Sequence, residues 1–137
     1  MRAVVAAALA CTATLFVAGE AFACGEQLSS PKRRIENEKY EIVLSSHPAP
    51  IETGKHFALD IAVCPHGTAE LPEAVRVDAV MPEHRHGMNY RPVVVVHGPG
   101  LYRAEGLMLH MAGNWELRID VVTAAGIERL TTTIQLE

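Results

Sequence analysis

The stretch Met81-Pro82-Glu83-His84-Arg85-His86-Gly87-Met88-Asn89-Tyr90-Arg91-Pro92 gathers imidazole and thioether side chains within twelve positions. In an extended backbone, residues two apart share a face. His84, His86 and Met88 then line up on one side, with Glu83, Arg85 and Gly87 on the other. Imidazole is the commonest protein ligand for transition metals, and thioether sulfur selects soft Cu(I). A second pair, His110-Met111, ends an apolar stretch and is separated by Ala112 and Gly113 from Asn114 and Trp115. If the segments carrying the two groups are neighbours, His84, His86, Met88 and His110 converge, with Met81 and Met111 in reserve. A structural zinc site prefers four nitrogen or thiolate ligands, and neither C-x-x-C nor H-x₃₋₅-H spacing is present. A His/Met mixture fits copper better, holding Cu(II) through nitrogen and Cu(I) through sulfur.

The same residues admit plainer roles. His84 and His86 can be solvated loop residues, Met88 a plug at the end of a core, and His110 a strand histidine bonded to backbone. The remaining histidines are weaker candidates: His47 and His66 lie beside prolines, and His56 and His97 at strand ends. Surface or capping roles are expected for them. A rival function uses no metal. Arg85, Tyr90 and Arg91 are residue types favoured at binding hot spots, so the Met81–Arg91 segment could be a binding loop for another envelope protein. Catalysis is not expected. There is no G-x-S-x-G or H-E-x-x-H, and adjacent Glu83 and His84 would face opposite ways on a strand, a poor acid–base unit.

Strands must position these groups. Phe57, Leu59, Ile61 and Val63 are apolar at period two, as are Val75, Val77 and Ala79. Trp115, Leu117, Ile119 and Val121 give the clearest alternation, with Glu116, Arg118 and Asp120 opposite. Leu130, Thr132, Ile134 and Leu136 share a face. Val93–Val96 is a continuous β-branched run, expected to be a strand buried on both faces. Leu101–Ala104 and Leu107–Met111 read as two stretches parted by Gly106. Pro48-Ala49-Pro50, Pro65-His66-Gly67, Pro82 and Gly98-Pro99-Gly100 break the chain between strands. These spacings predict an all-β fold, an immunoglobulin-like sandwich of about 7–8 strands. Aromatic residues are only 5% of the chain, so Trp115 is the expected large anchor of a Val/Leu/Ile core.

Met1-Arg2, the apolar Ala3–Ala18 and Ala21-Phe22-Ala23 form a secretory signal pattern, expected to span residues 1–23. Residues 24–38 read as a polar lead-in whose basic triplet Lys32-Arg33-Arg34 is solvated, and 39–137 as the domain. The expected location is periplasmic or secreted. An uncleaved anchor and a lipoprotein modified at Cys24 are the alternatives. No later apolar run approaches the ~20 residues of a spanning helix, so no membrane span is expected in the mature chain. A net charge of −4 and export disfavour nucleic-acid binding. Cleavage would leave Cys24 and Cys64, a disulfide pair closing a loop of about 40 residues, with thiolate–metal ligation as the alternative.

Met81-Pro82-x-His84-x-His86-Gly87-Met88 with Pro92, Gly100-x-Tyr102, Gly106-Leu107, and His110-Met111-x-Gly113-x-Trp115-Glu116-Leu117 together resemble the YtkA-like domain family, related to the FixH-like proteins. The resembling blocks run from about Val75 to Val122. The resemblance implies a small exported or membrane-anchored β-sandwich with no established enzyme activity, of a kind often associated with copper handling and oxidase assembly. An envelope copper-handling or oxidase-assembly protein is then the expected partner. It further implies a tight turn at Gly113 and a loop-bracing hydroxyl on Tyr102. FixH-like proteins carry a membrane anchor, whereas a cleaved signal is expected here instead.

Overall fold

A computed structural model describes residues 22–137. The signal pattern falls almost wholly outside the described residues. The chain forms β1 (Lys32–Glu36), β2 (Tyr40–His47), β3 (His56–Pro65), β4 (Ala74–Met81), β5 (His86–Gly87), β6 (Val93–Gly98), β7 (Leu101–Met108), β8 (Gly113–Thr123) and β9 (Gly126–Leu136). They make two antiparallel sheets, β1-β2-β3-β7-β6 and β5-β4-β8-β9, packed face to face as a sandwich. Among the described residues, no helix is long and apolar enough to cross a membrane.

The period-two pattern places the core. Trp115, Leu117, Ile119 and Val121 of β8 are at most 1% exposed, and they meet Ile42, Leu44, Leu59, Ile61, Ala104 and Leu107 from the other sheet. Burial of each large side chain contributes about 1.5–3 kcal/mol. Val75, Val77 and Ala79 of β4 turn inward, as do Leu130, Ile134 and Leu136 of β9. Tyr102 braces a loop: its buried hydroxyl donates to Pro72 O at 3.1 Å, and burial raises its pKa.

Three segments differ from expectation. Part of the polar lead-in forms β1, pairing with β2 from Lys32↔Ser45 to Glu36↔Glu41. Its polar composition belongs to an edge strand, where exposed charge is tolerated and discourages further pairing; only Ile35 packs on the core. The triplet is solvated, and Arg34 pairs with Glu41 of β2 rather than with the nearer Glu36 or Glu38. Second, Val93–Val96 is not buried on both faces. β6 is an edge strand with Val93 65% and Val96 64% exposed, and only Val94 packs against the core. A valine run reports β propensity, not position within a sheet. Third, the two stretches around Gly106 are one strand, β7. Gly106 sits at φ +80° where the ladder with β3 shifts register, and Leu109–Met111 lie beyond the strand end.

The disulfide joins Cys24 to Cys64 with Cα atoms 5.9 Å apart. It lays the N-terminal segment over the outer face of β2. Ser45 Oγ donates to Ser29 O at 2.6 Å, and Lys32 Nζ to Gly25 O at 2.8 Å. Gly25, at φ +67°, presses on Val43 so closely that an added Cβ would lie 2.5 Å from the valine Cβ. Outward-facing Val43 is therefore only 1% exposed. Replacing Cys24 and Cys64 together by Ser should lower the unfolding free energy in urea by about 2–4 kcal/mol. Equal stability of the variant and the oxidised native protein would show that the segment adds nothing to the fold.

Candidate metal centre

The β7–β8 connection sets the site. Leu109, fully buried, plugs the end of the core, and the chain then crosses from one sheet to the other through His110, Met111 and Ala112. Trp115 Nε1 donates to Met111 O at 2.9 Å, fixing this crossing to the indole. Gly113 permits the return into β8. Its φ is +121°, and a Cβ there would meet Met81 Cε at 3.2 Å. Met81 is thus packed beneath the turn, 1% exposed. The tight turn expected at Gly113 is present, and its close neighbour is a methionine methyl.

The second group arrives on the β4–β5 hairpin. His84 to Met88 do not form the continuous strand expected of them. Pro82–Arg85 is a turn, closed by His84 N to Met81 O at 3.2 Å and Arg85 N to Pro82 O at 3.3 Å, with Arg85 at φ 57°. The proline breaks the ladder, so His84 lies in the turn, His86 in β5 and Met88 just past it. His86 stands opposite Met81 in the ladder, and opposed residues share a face. That face is the core face, so His86 lies over the end of the core beside Trp115.

The rings consequently meet by a different route from strand alternation. Centroids of His84 and His86 are 5.8 Å apart, and those of His86 and His110 5.1 Å. Trp115 supports the latter two edge-on, at 5.6 Å from His86 and 5.3 Å from His110. Imidazoles sharing an ion with bonds of about 2.0–2.1 Å place their centroids roughly 4.5–6.5 Å apart, so both spacings fall in that range. Met88 and Met111 are half-buried against the core.

The ring nitrogens are unequal. His86 Nδ1 lies 3.2 Å from Gly87 O. A carbonyl only accepts, so this bond puts the proton on Nδ1 and leaves the Nε2 lone pair free for a ligand. His110 Nδ1 is buried with no hydrogen-bond partner among the described residues. The other two such side-chain atoms, Glu41 Oε1 and His47 Nε2, each have an ionic neighbour, Arg34 and Asp60; His110 has none. A buried unpaired polar atom costs about 1–3 kcal/mol, so His110 is a group in need of a partner. Among the described residues no cluster of three or more His, Cys, Asp or Glu is arranged to hold an ion. An ion seated on this imidazole row would therefore draw on thioether sulfur.

The remaining candidates are dispersed. Tyr90 is 46% exposed and stacks edge-on against His56 at 5.1 Å. Arg85 and Arg91 are exposed, with no carboxylate partner among the described residues. Glu83 makes its contact with Asn114 at 3.5 Å. His47 pairs with Asp60 at 2.8 Å, and Asp60 also receives Arg103 at 2.7 Å. Sequence reasoning cast Trp115 only as a core anchor and missed it as a wall of the site. Its place two residues after Gly113, at the mouth of the turn carrying His110, was the available signal.

Residues 35–120 match the YtkA-like family. The chain belongs to that family. The match reaches well beyond the blocks from about Val75 to Val122, back to β1, and it contains every His and Met of the candidate centre. Cys24 lies outside it, so the disulfide ties a flanking segment to the YtkA-like domain. No curated protein and no solved structure matches the chain.

His110→Phe in this YtkA-like domain keeps a ring against Trp115 and removes the unpaired nitrogen. Its urea midpoint without metal should equal or exceed that of the native protein, whereas Trp115→Ala should cost about 3–5 kcal/mol. A large loss in His110→Phe would mean that the imidazole serves the fold.

Proposed function

We propose that this YtkA-like protein binds and delivers copper outside the cytoplasm through two imidazoles at a time from the row His84, His86 and His110, with sulfur from Met88 or Met111. The observation that carries the reading is the imidazole row ending in the partnerless nitrogen of His110. A polar atom kept buried at a cost in stability fits a ligand-binding role better than a packing role. The donor chemistry favours copper: borderline imidazole serves Cu(II), and soft thioether serves Cu(I). Met81, sealed under Gly113, is the methionine least able to reach an ion.

An extracytoplasmic location is supported by the Cys24–Cys64 bridge, since disulfides persist in oxidising compartments, and by the signal pattern of residues 1–23. The partner would be an envelope protein that handles copper or assembles an oxidase. We assign no catalytic step, because the one carboxylate adjacent to the histidines in sequence, Glu83, contacts Asn114. Residence and release of the ion are then the whole chemistry.

Isothermal titration of the folded protein with Cu(II), and with Cu(I) under reductant, tests the proposal. Binding tighter than about 1 μM is expected, with quenching of Trp115, the single tryptophan. The His84→Ala/His86→Ala double variant should lose binding, and His47→Ala should keep it. Equal affinity of both variants, or no native binding below about 1 μM, would overturn the assignment.

A further inference from the structure

The sandwich is open along one side. β5 is two residues long and pairs only with Val80 and Met81 of β4. Beyond it, Met88 N donates to Ala79 O at 3.1 Å. No strand is hydrogen-bonded to the rest of that edge, from Ala74 to Asp78, although β6 of the other sheet approaches β4 there. Backbone groups along a strand point to alternate edges. The Ala79 carbonyl faces the open side, so the N–H and C=O of Val77 and Val75 face it as well. Neither residue makes a further backbone bond among the described residues outside the β4–β8 ladder. The Ala79 N–H is satisfied by Asp78 Oδ1 at 2.8 Å, which leaves Val77 and Val75 as the edge groups in want of partners. Each brings one donor and one acceptor.

The gap beside this edge is a trough of mixed apolar and charged lining. A cleft of about 610 Å³ runs between β4 and the loop leading into β6, lined by Val75, Val77, Met88 and Val94, by the charged Arg76 and Asp78 of β4, and by Tyr90 and Arg91. The charges around it are uneven. On the outer face of the four-stranded sheet, Arg129 holds Asp120 at 2.7 Å and Arg118 holds Glu116 at 2.7 Å. Arg76 stands opposite Asp120 in the ladder, and Asp78 opposite Arg118. That face is balanced. Arg91 and Arg85 lie outside the lattice, without carboxylate partners among the described residues.

The geometry points to a docking edge: an extended, acidic segment of a partner protein adds as a strand beside Ala74–Asp78 of β4. Its backbone pairs with Val75 and Val77. Its alternate apolar side chains enter the trough toward Met88 and Val94, and a carboxylate meets Arg91. Strand addition of this kind takes affinity from main-chain hydrogen bonds and specificity from alternate side chains. An acidic partner follows from Arg91, whose charge the protein leaves unmatched. A basic segment would leave like charges together, which costs affinity. Neither His86 nor His110 lines the trough, but Met88 does, so copper is withheld when this docking is tested.

The probe is a synthetic heptapeptide of alternating Glu and Val, blocked at both ends, titrated into the full folded chain with chelator present. Two companion peptides replace Glu by Lys, or carry N-methyl groups on alternate residues. The Glu peptide should bind at least about tenfold more tightly than the Lys peptide in dilute buffer, and the difference should shrink near about 0.5 M salt. Methylation on the pairing edge should weaken binding by about tenfold or more, because it removes the main-chain donors and keeps the side chains. Amide exchange at Val75 and Val77 should slow by about tenfold on binding. Arg91→Glu, an exposed loop change that spares the fold, should abolish or reverse the Glu-over-Lys preference. Failure of the Glu peptide to bind, equal binding of the N-methyl peptide, or slowed exchange at Val93–Val96 instead of Val75 and Val77 would each overturn the proposal. Sedimentation as a dimer with those β6 amides already protected would assign the exposed edge to a second copy and overturn it too.

Discussion

The hydrogen bond from Trp115 Nε1 to Met111 O carries the arrangement at the end of the sandwich. β7 and β8 belong to different sheets, and the chain passes between them across the top of the core. A crossing this short holds its place only if something inside the core grips it. Fully buried Trp115 does so with its one polar atom, which must find a partner when buried. The grip brings the main chain of Met111 down onto the core and leaves His110 edge-on against the indole, with Nδ1 out of reach of water and of protein acceptors. The same indole supports His86 from the other hairpin. One residue thus joins two segments that sequence separates by more than twenty positions.

How much of this was visible in the sequence follows from what alternation encodes. β8 reads cleanly because one face is core and the other is solvent, so Trp115, Leu117, Ile119 and Val121 announce themselves. β1 and β6 do not, because edge position depends on which strands pair, a property of topology rather than of local composition. β1 looked too charged for a strand, and β6 looked too apolar for an edge. The disulfide was legible from counting thiols in a chain expected to be exported. The imidazole cluster was legible as a list of residues but not as a geometry. Strand alternation would have aligned His84, His86 and Met88, whereas Pro82 and left-handed Arg85 fold the segment into a hairpin. The rings of His84 and His86 still come near each other, with centroids 5.8 Å apart.

The brevity of β5 serves both ends of the β4–β5 hairpin. Pairing only at Val80↔Gly87 and Met81↔His86 is enough to place His86 opposite Met81, hence over Trp115. The chain then leaves β4 at Met88, whose N–H takes the Ala79 carbonyl, and departs for β6 in the other sheet. A longer β5 would satisfy Val77 and Val75 and close the trough. The early departure therefore leaves an unpaired stretch of edge next to the short ladder that seats His86, so the imidazole-bearing end and the open side of this YtkA-like domain are consequences of one turn in the chain.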